Sequence, residues 1–212
     1  MKTNFFAVCL LFALAGCDVG GIRGNGHLIT EQRKVEPFIN VDASGAFRID
    51  WHSGPPTASV TIDENLMQYV EMEVRDRILY IRTTHHVWSR RSAKVVLTSN
   101  TLEGASFSGA SQLTAHQLTG SRFYLETSGA SKATLDGAVD ELIASITGAG
   151  DLRADSLQTK TAKISVTGAG DARIAVRDDL KVSITGAGKV EYIGDPHIQR
   201  EITGAGSIRK RE

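Results

Sequence analysis

The sequence predicts an all-β fold: a single-stranded right-handed parallel β-helix of about 18–20 residues per coil, with a less regular β-rich N-terminal section. The first observation behind this is a recurring tetrapeptide, Ser/Thr-Gly-Ala-Ser/Gly. It reads Ser108-Gly109-Ala110-Ser111 and Ser128-Gly129-Ala130-Ser131, then Thr-Gly-Ala-Gly from Thr147, Thr167, Thr185 and Thr203. The spacings of 20, 19, 20, 18 and 18 residues fit stacked coils and are too short for propeller blades. The second is alternation before each motif. Phe107, Thr127, Ile146, Val166, Ile184 and Ile202 lie one residue before it. Ala105, Leu125, Ala144, Ile164, Val182 and Arg200 lie three before, with Ser or Glu between the two columns. Period two marks a half-buried strand. The third is a matching inward pair after the motif: Leu113, Ala133, Leu152, Ala172, Val190 and Ile208, then Ala115, Leu135, Ala154, Ile174, Tyr192 and Lys210. The glycine column supplies the corner, and the Ala column is expected to point inward there. Six coils at about 4.8 Å each give a body on the order of 30 Å long.

The elements follow in chain order. Residues 1–16 read as a lipoprotein signal peptide: Lys2, an apolar stretch from Phe5 to Leu14, then Leu14-Ala15-Gly16-Cys17. Cleavage before Cys17 leaves that residue to carry the lipid. With Cys9 inside the signal, the mature chain has no intrachain disulfide to form. Asp18 bears on retention in the inner membrane, so inner and outer membrane both stay open. Residues 17–26, with Gly20, Gly21, Gly24 and Gly26, are expected to be a lipid-anchored flexible tether. Residues 27–100 hold strand-like runs at Phe47–Trp51, Ala58–Ile62, Ile78–Ile81 and Val95–Leu97, with a helical turn expected within 63–74. Ser44-Gly45-Ala46-Phe47 resembles a degenerate copy of the repeat, so the ladder is expected to start before residue 100. The repeats proper fill 101–209.

Charge is balanced, 24 basic against 24 acidic residues, and no basic stripe points to nucleic acid. No Gly-x-Ser-x-Gly elbow occurs, and the ladder serines have no fixed histidine partner. No catalytic residue, cofactor or metal ligand set is assigned. The chemical candidates are two. In the columns beyond the corner, Asp151 and Asp171 stack, Arg153 and Arg173 flank them, and Lys189 with Glu191 inverts the pattern one coil on. Two carboxylates about 5 Å apart can hold Ca²⁺ or work as an acid and nucleophile pair. A solvated charge ladder explains the same pattern without a ligand. The other candidate is His85-His86-Val87-Trp88-Ser89-Arg90-Arg91, a loop whose Trp88 could meet a sugar or an anionic surface. Adjacent histidines are poor joint ligands for one metal.

The order Gly24-x-Gly26, Arg33-x-Val35-x-x-Phe38, Ile39-x-Val41, Ser44-Gly45-Ala46-Phe47, Asp63-x-Asn65-Leu66, Leu79-x-Ile81 and the Gly-Ala ladder resembles the bacterial head GIN domain family, labelled auto-transporter adhesins, over roughly residues 24–209. The resemblance implies a right-handed β-helix on an exported, often lipid-anchored protein, and it brings no catalytic residues. The chain carries no translocating β-barrel of its own. The expected function is a non-enzymatic cell-envelope lipoprotein with an adhesin-like binding or scaffold surface. Its partners would be the membrane through lipidated Cys17 and an envelope polysaccharide or protein. The alternative is a polysaccharide lyase or hydrolase working from the Asp151/Asp171 strip. A third route is docking of an envelope partner on the open end near Ile202 to Ile208, where the basic tail from Arg209 deters edge pairing.

Overall fold

The computed structural model describes residues 20–211; the signal segment and Cys17 lie outside the described residues. The chain folds as a β-solenoid of about 5 turns. Its four long strand segments, β11 (Gln112–Gly129), β12 (Lys132–Gly148), β13 (Asp151–Gly168) and β14 (Asp171–Gly186), each wrap nearly a whole coil and bend at register shifts. They are joined in parallel, residue on like residue: Ala133 on Leu152, Ile146 on Val166, Thr147 on Thr167. The final coil is β15 (Lys189–Ile193), β16 (His197–Gly204) and β17 (Ser207–Lys210).

The expected inward columns are buried. Phe107, Leu113, Leu125, Ile146, Leu152, Val166, Ile174, Ile184 and Val190 are each at most 2% exposed. The next face of the coil adds Phe123, Leu142, Ala162 and Leu180. One core runs the length of the molecule. At about 25 cal/mol per Å² this repeated apolar column is the main stabilising term. The column ends in the last coil, where Ile202 is 36% exposed and Arg200 and Lys210 take places that are apolar in earlier coils.

The Ala column differs from expectation. Ala110, Ala130, Ala149, Ala169, Ala187 and Ala205 are exposed, while Ser111, Ser131, Gly150, Gly170 and Gly188, one residue on, are buried. The cause is the preceding glycine. Gly168 has φ +118° and turns the chain, so the alternation slips by one. The corner is closed by the Ala N–H, which donates to the glycine carbonyl one coil earlier: Ala149 to Gly129 at 2.9 Å, Ala169 to Gly148 at 2.8 Å. A Cβ on Gly168 would lie 2.5 Å from that Gly148 oxygen.

The ladder begins well before residue 100. β3 (Asn40–Gly45) and β4 (Phe47–Ser53) form a full member of it: Ser44 and Gly45 pair with Ser108 and Gly109 on β10 (Gly104–Gly109), and Ile49 pairs with Leu113. On the other side they carry an end coil made of β7 (Ile78–Thr83) and β9 (Ala93–Ser99). The stack then closes with antiparallel strands. β6 (Val70–Arg75) pairs β7, and β5 (Thr57–Asp63) pairs both β9 and β2 (Leu28–Arg33). The helical turn is shorter than expected: a 3₁₀ segment, Glu64–Tyr69, after which Val70 is already strand. In the end coil the corner that other coils make from Gly-Ala is expanded into residues 84–92, which include the short β8 (Val87–Trp88).

The glycine-rich segment is a second difference from expectation. From Ile22 it is tied to the body rather than free. β1 (Ile22–Arg23) pairs β8, with Arg23 opposite Trp88. Beyond it, Gly26 N–H donates to Asp63 Oδ1 at 2.6 Å and Asn25 N–H to Asn65 Oδ1 at 2.9 Å; Asn65 Nδ2 donates to the Arg23 carbonyl at 2.8 Å. Gly24 leaves room for the Asp63 carboxylate, which a side chain there would occupy.

Candidate functional site

Three surfaces carry chemistry. The first is the charged strip on the outward face of the strands that follow the corners. Asp151 and Asp171 are direct register partners on adjacent strands, as are Arg153 and Arg173, and Lys189 and Glu191 follow. Five of the expected site residues, Asp151, Asp171, Arg153, Arg173 and Lys189, therefore share one face. Their pairing partitions them. Arg153 Nε lies 3.1 Å from Asp151 Oδ2, with Lys132 Nζ at 3.9 Å. Arg173 turns to the next coil and meets Glu191 at 3.3 Å, where Lys189 also arrives at 2.5 Å. Lys189 and Arg173 hold the Glu191 carboxyl below the usual range. Asp151, Arg153, Arg173, Lys189 and Glu191 of the strip are held in ion pairs, and no group of three or more metal-ligating side chains occurs among the described residues. Asp151 faces two cations, Arg153 and Lys132, and lies beside Asp171 in the register.

The second surface is a notch on the strands that precede the corners. Position 104 falls in the outward column between Asn40 and Tyr124, and glycine there leaves a gap; a Cβ would sit 2.8 Å from Asn40 Oδ1. The hollow, about 330 Å³, is bordered by Asn40, Asp42, Ser106, Tyr124 and Glu126. Tyr124 is 47% exposed and is braced by Arg122, whose guanidinium carbon lies 5.5 Å from the ring centre and whose Nη1 donates to the phenol oxygen at 2.9 Å. Arg122 is fixed in turn by Glu141 at 2.6 Å. Burial, and then the nearby Glu126 charge, push the Asp42 carboxyl upward. An apolar ring beside amide, hydroxyl and carboxylate groups matches the two faces of a sugar. The sequence held one signal for it: glycine at 104 in a column otherwise filled by side chains.

A larger hollow, about 600 Å³, crosses the third face of successive coils from β11 to β15. Its floor is Gly120, Ala138, Val139, Thr159, Ala175 and Val176, and its rim includes the Asp140–Lys160 pair at 2.6 Å. The third surface is the end-coil corner with Trp88. It lies apart from the charged strip, so Trp88 does not join the other five residues in one site. Trp88 is 55% exposed, and its indole meets His86 edge-on at 5.3 Å. Ser89 donates to Asp63 Oδ2 and pins the loop to the buried Asp63.

The family profile "Putative auto-transporter adhesin, head GIN domain" matches residues 37–196. The chain belongs to the head GIN domain family. The match leaves Gly24-x-Gly26 and Arg33-x-Val35 outside, although Gly24–Gly26 is bonded to Asp63 and Asn65 within the matched region. Solved structures share the fold. A "putative adhesin" from Bacteroides fragilis is 22% identical with a TM-score of 0.71, over 90% of this chain and 100% of that one. A "putative lipid binding protein" from Parabacteroides distasonis is 22% identical with a TM-score of 0.61, over 91% and 100%. A "putative adhesin" from the same species is 25% identical with a TM-score of 0.58, over 91% and 100%. No curated protein matches at a significant level. As a head GIN domain, the chain is of an adhesin-like, exported or cell-envelope type. Among the described residues no helix is long and apolar enough to cross a membrane.

Proposed function

We propose that this head GIN domain is a non-enzymatic lipoprotein of the bacterial cell envelope, anchored through Cys17, whose solenoid flank binds an envelope polysaccharide. The observation that carries the ligand class is the Tyr124 notch, with its braced aromatic ring beside Asn40, Asp42, Ser106 and Glu126. Strand-borne side chains in a stacked coil are held rigidly, which lowers the entropic cost of binding an extended chain. The lipid anchor rests on Leu14-Ala15-Gly16-Cys17 after an apolar run. The alternative enzyme reading keeps one supporting observation, the register of Asp151 on Asp171. The ion pairs from Arg153 and Lys132 weigh against it.

The decisive experiment is a glycan array and an envelope-polysaccharide pull-down with the membrane-extracted protein. Wild type is expected to bind; Tyr124→Ala is expected to lose about five- to 150-fold in affinity, from about 1–3 kcal/mol for one stacked ring, and Gly104→Leu, which fills the notch, to lose affinity as well. Equal binding by all three removes the notch from the function. The enzyme alternative is read in the same samples: chain cleavage that disappears in Asp151→Asn would replace the binding reading.

A further inference from the structure

The end-coil corner holds groups that neither the solenoid nor the notch uses. Trp88 is the most exposed large hydrophobic residue among those described, at 55%. Arg90 and Arg91 follow it and are exposed, and Arg23 stands opposite it in the β1–β8 pair. Gly20, Gly21, Arg23, Trp88, Ser89 and Arg90 line a hollow of about 610 Å³. The patch is rigidly mounted. Ile22 N–H donates to the His86 carbonyl at 2.9 Å and Gly24 N–H to the Trp88 carbonyl at 2.8 Å. The buried Asp63 carboxylate receives Ser89 on one oxygen and Gly26 on the other.

The position along the chain gives this patch its meaning. Gly21 packs against the Trp88 indole, and Gly20 follows Cys17 by three residues, a reach of at most about 10 Å. A lipid on Cys17, as the lipoprotein reading has it, would start within that reach of Gly20, and Gly20 lies with Trp88, Arg23 and Arg90 around one hollow. Tryptophan favours the layer between water and acyl chains, arginine pairs with phosphate through two parallel hydrogen bonds, and one lipid signal is commonly reinforced by a basic patch.

We infer that Trp88, Arg23, Arg90 and Arg91 form a membrane-seating face. Trp88 enters the headgroup layer of an anionic bilayer while the arginines bind lipid phosphates, and the end coil is thereby set against the membrane with the last coil furthest from it. This rests on the lipoprotein reading above. It assigns Trp88 to lipid and leaves sugar to the Tyr124 notch.

The test uses protein extracted from membranes, with the mass at Cys17 determined first, reconstituted into phosphatidylcholine vesicles with and without phosphatidylglycerol. Tryptophan emission is read with brominated acyl lipids as quenchers. Trp51 is buried and donates to Ser99 at 2.9 Å, so the Trp88→Phe variant gives its constant background. Expected are a blue shift and quenching of Trp88 in anionic vesicles. Both should be lost in Arg90→Glu/Arg91→Glu, with an unchanged circular dichroism spectrum and continued sedimentation with the vesicles. Acylated Cys17 with unquenched Trp88 overturns the seating face and leaves the lipoprotein reading intact. Unmodified Cys17 overturns both. A Trp88 emission change produced by envelope polysaccharide, with none from the bilayer, overturns the lipid assignment in favour of a glycan.

Discussion

Thr127 occupies an inward position that Phe107, Ile146, Val166 and Ile184 fill in the neighbouring coils. It is 4% exposed, and its Oγ1 has no hydrogen-bond partner among the described residues. Valine has the same shape without the hydroxyl, so Thr127→Val is expected to stabilise the fold by about 1 kcal/mol. The midpoint of urea unfolding reads this directly, and a fall in midpoint would show that the hydroxyl is satisfied after all. Asp42 allows a prediction with a pH signature. Its carboxyl is raised by burial first and Glu126 second, so the folded state favours the protonated form. That advantage is fully present below the ordinary aspartate pKa and is lost as pH rises through the raised one. Asp42→Asn should therefore raise Tm at neutral pH and leave it unchanged in acid; an equal shift at both pH values would contradict this. At this scale the columns were legible because alternation survives in the sequence. The outward turn of the alanines was not, because a positive-φ glycine moves the alternation by one and leaves no mark in composition.

Among the elements, the corner explains why the repeat changes its fourth letter. The position after Ala, buried in every coil but the last, is serine at Ser111 and Ser131, and glycine at Gly150, Gly170, Gly188 and the half-buried Gly206. It packs on the inward residue of the coil before. Under the serines that residue is Ala43 or Phe107; under the glycines it is Thr127, Ile146, Val166 or Ile184, all β-branched. A Cβ at Gly170 would come within 2.6 Å of Ile146 Cγ2. Gly170→Ser is thus expected to cost on the order of 1–3 kcal/mol through overpacking, while Ser131→Gly costs less. Gly168→Ala adds backbone strain to a clash and should lose on the order of 2–3 kcal/mol. Thermal unfolding of the three variants gives the order, and Gly170→Ser matching wild type would sink the packing rule. The repeats made these elements readable from residue 101 onward. The antiparallel closure by β2 and β5 was not readable, because it depends on pairings between strands far apart in sequence, such as Ile29 with Ile62. The Tyr124 notch was hidden for a similar reason, since Asn40, Gly104 and Tyr124 meet only once the register is known.

The whole molecule has one closed end and one open end. Strands β2 and β6 cap the first, while β16 and β17 leave the last coil uncovered. Arg200 stands there in the column of Leu125, Ala144, Ile164 and Val182. A charge on the stacking face opposes docking of another strand layer. Arg200→Val is therefore expected to give concentration-dependent association by light scattering where wild type shows none, and two indistinguishable profiles would exclude this role. The stacking order has a further consequence for how the chain is made. The coil built from residues 40–53 lies between the end coil of residues 78–99 and the strand that begins at Gly104. A chain emerging amino end first from a translocation channel cannot add coils in the order in which they arrive. Its first coil must wait, unpaired on both edges, until β7 and β9 have followed, and the edge that takes β10 stays open until Gly104 and the residues after it arrive. In a chain that crosses a membrane amino end first, the stack can be completed on that side only after β10 has crossed, and the edge waiting for it stays open to chaperones and proteases for that interval.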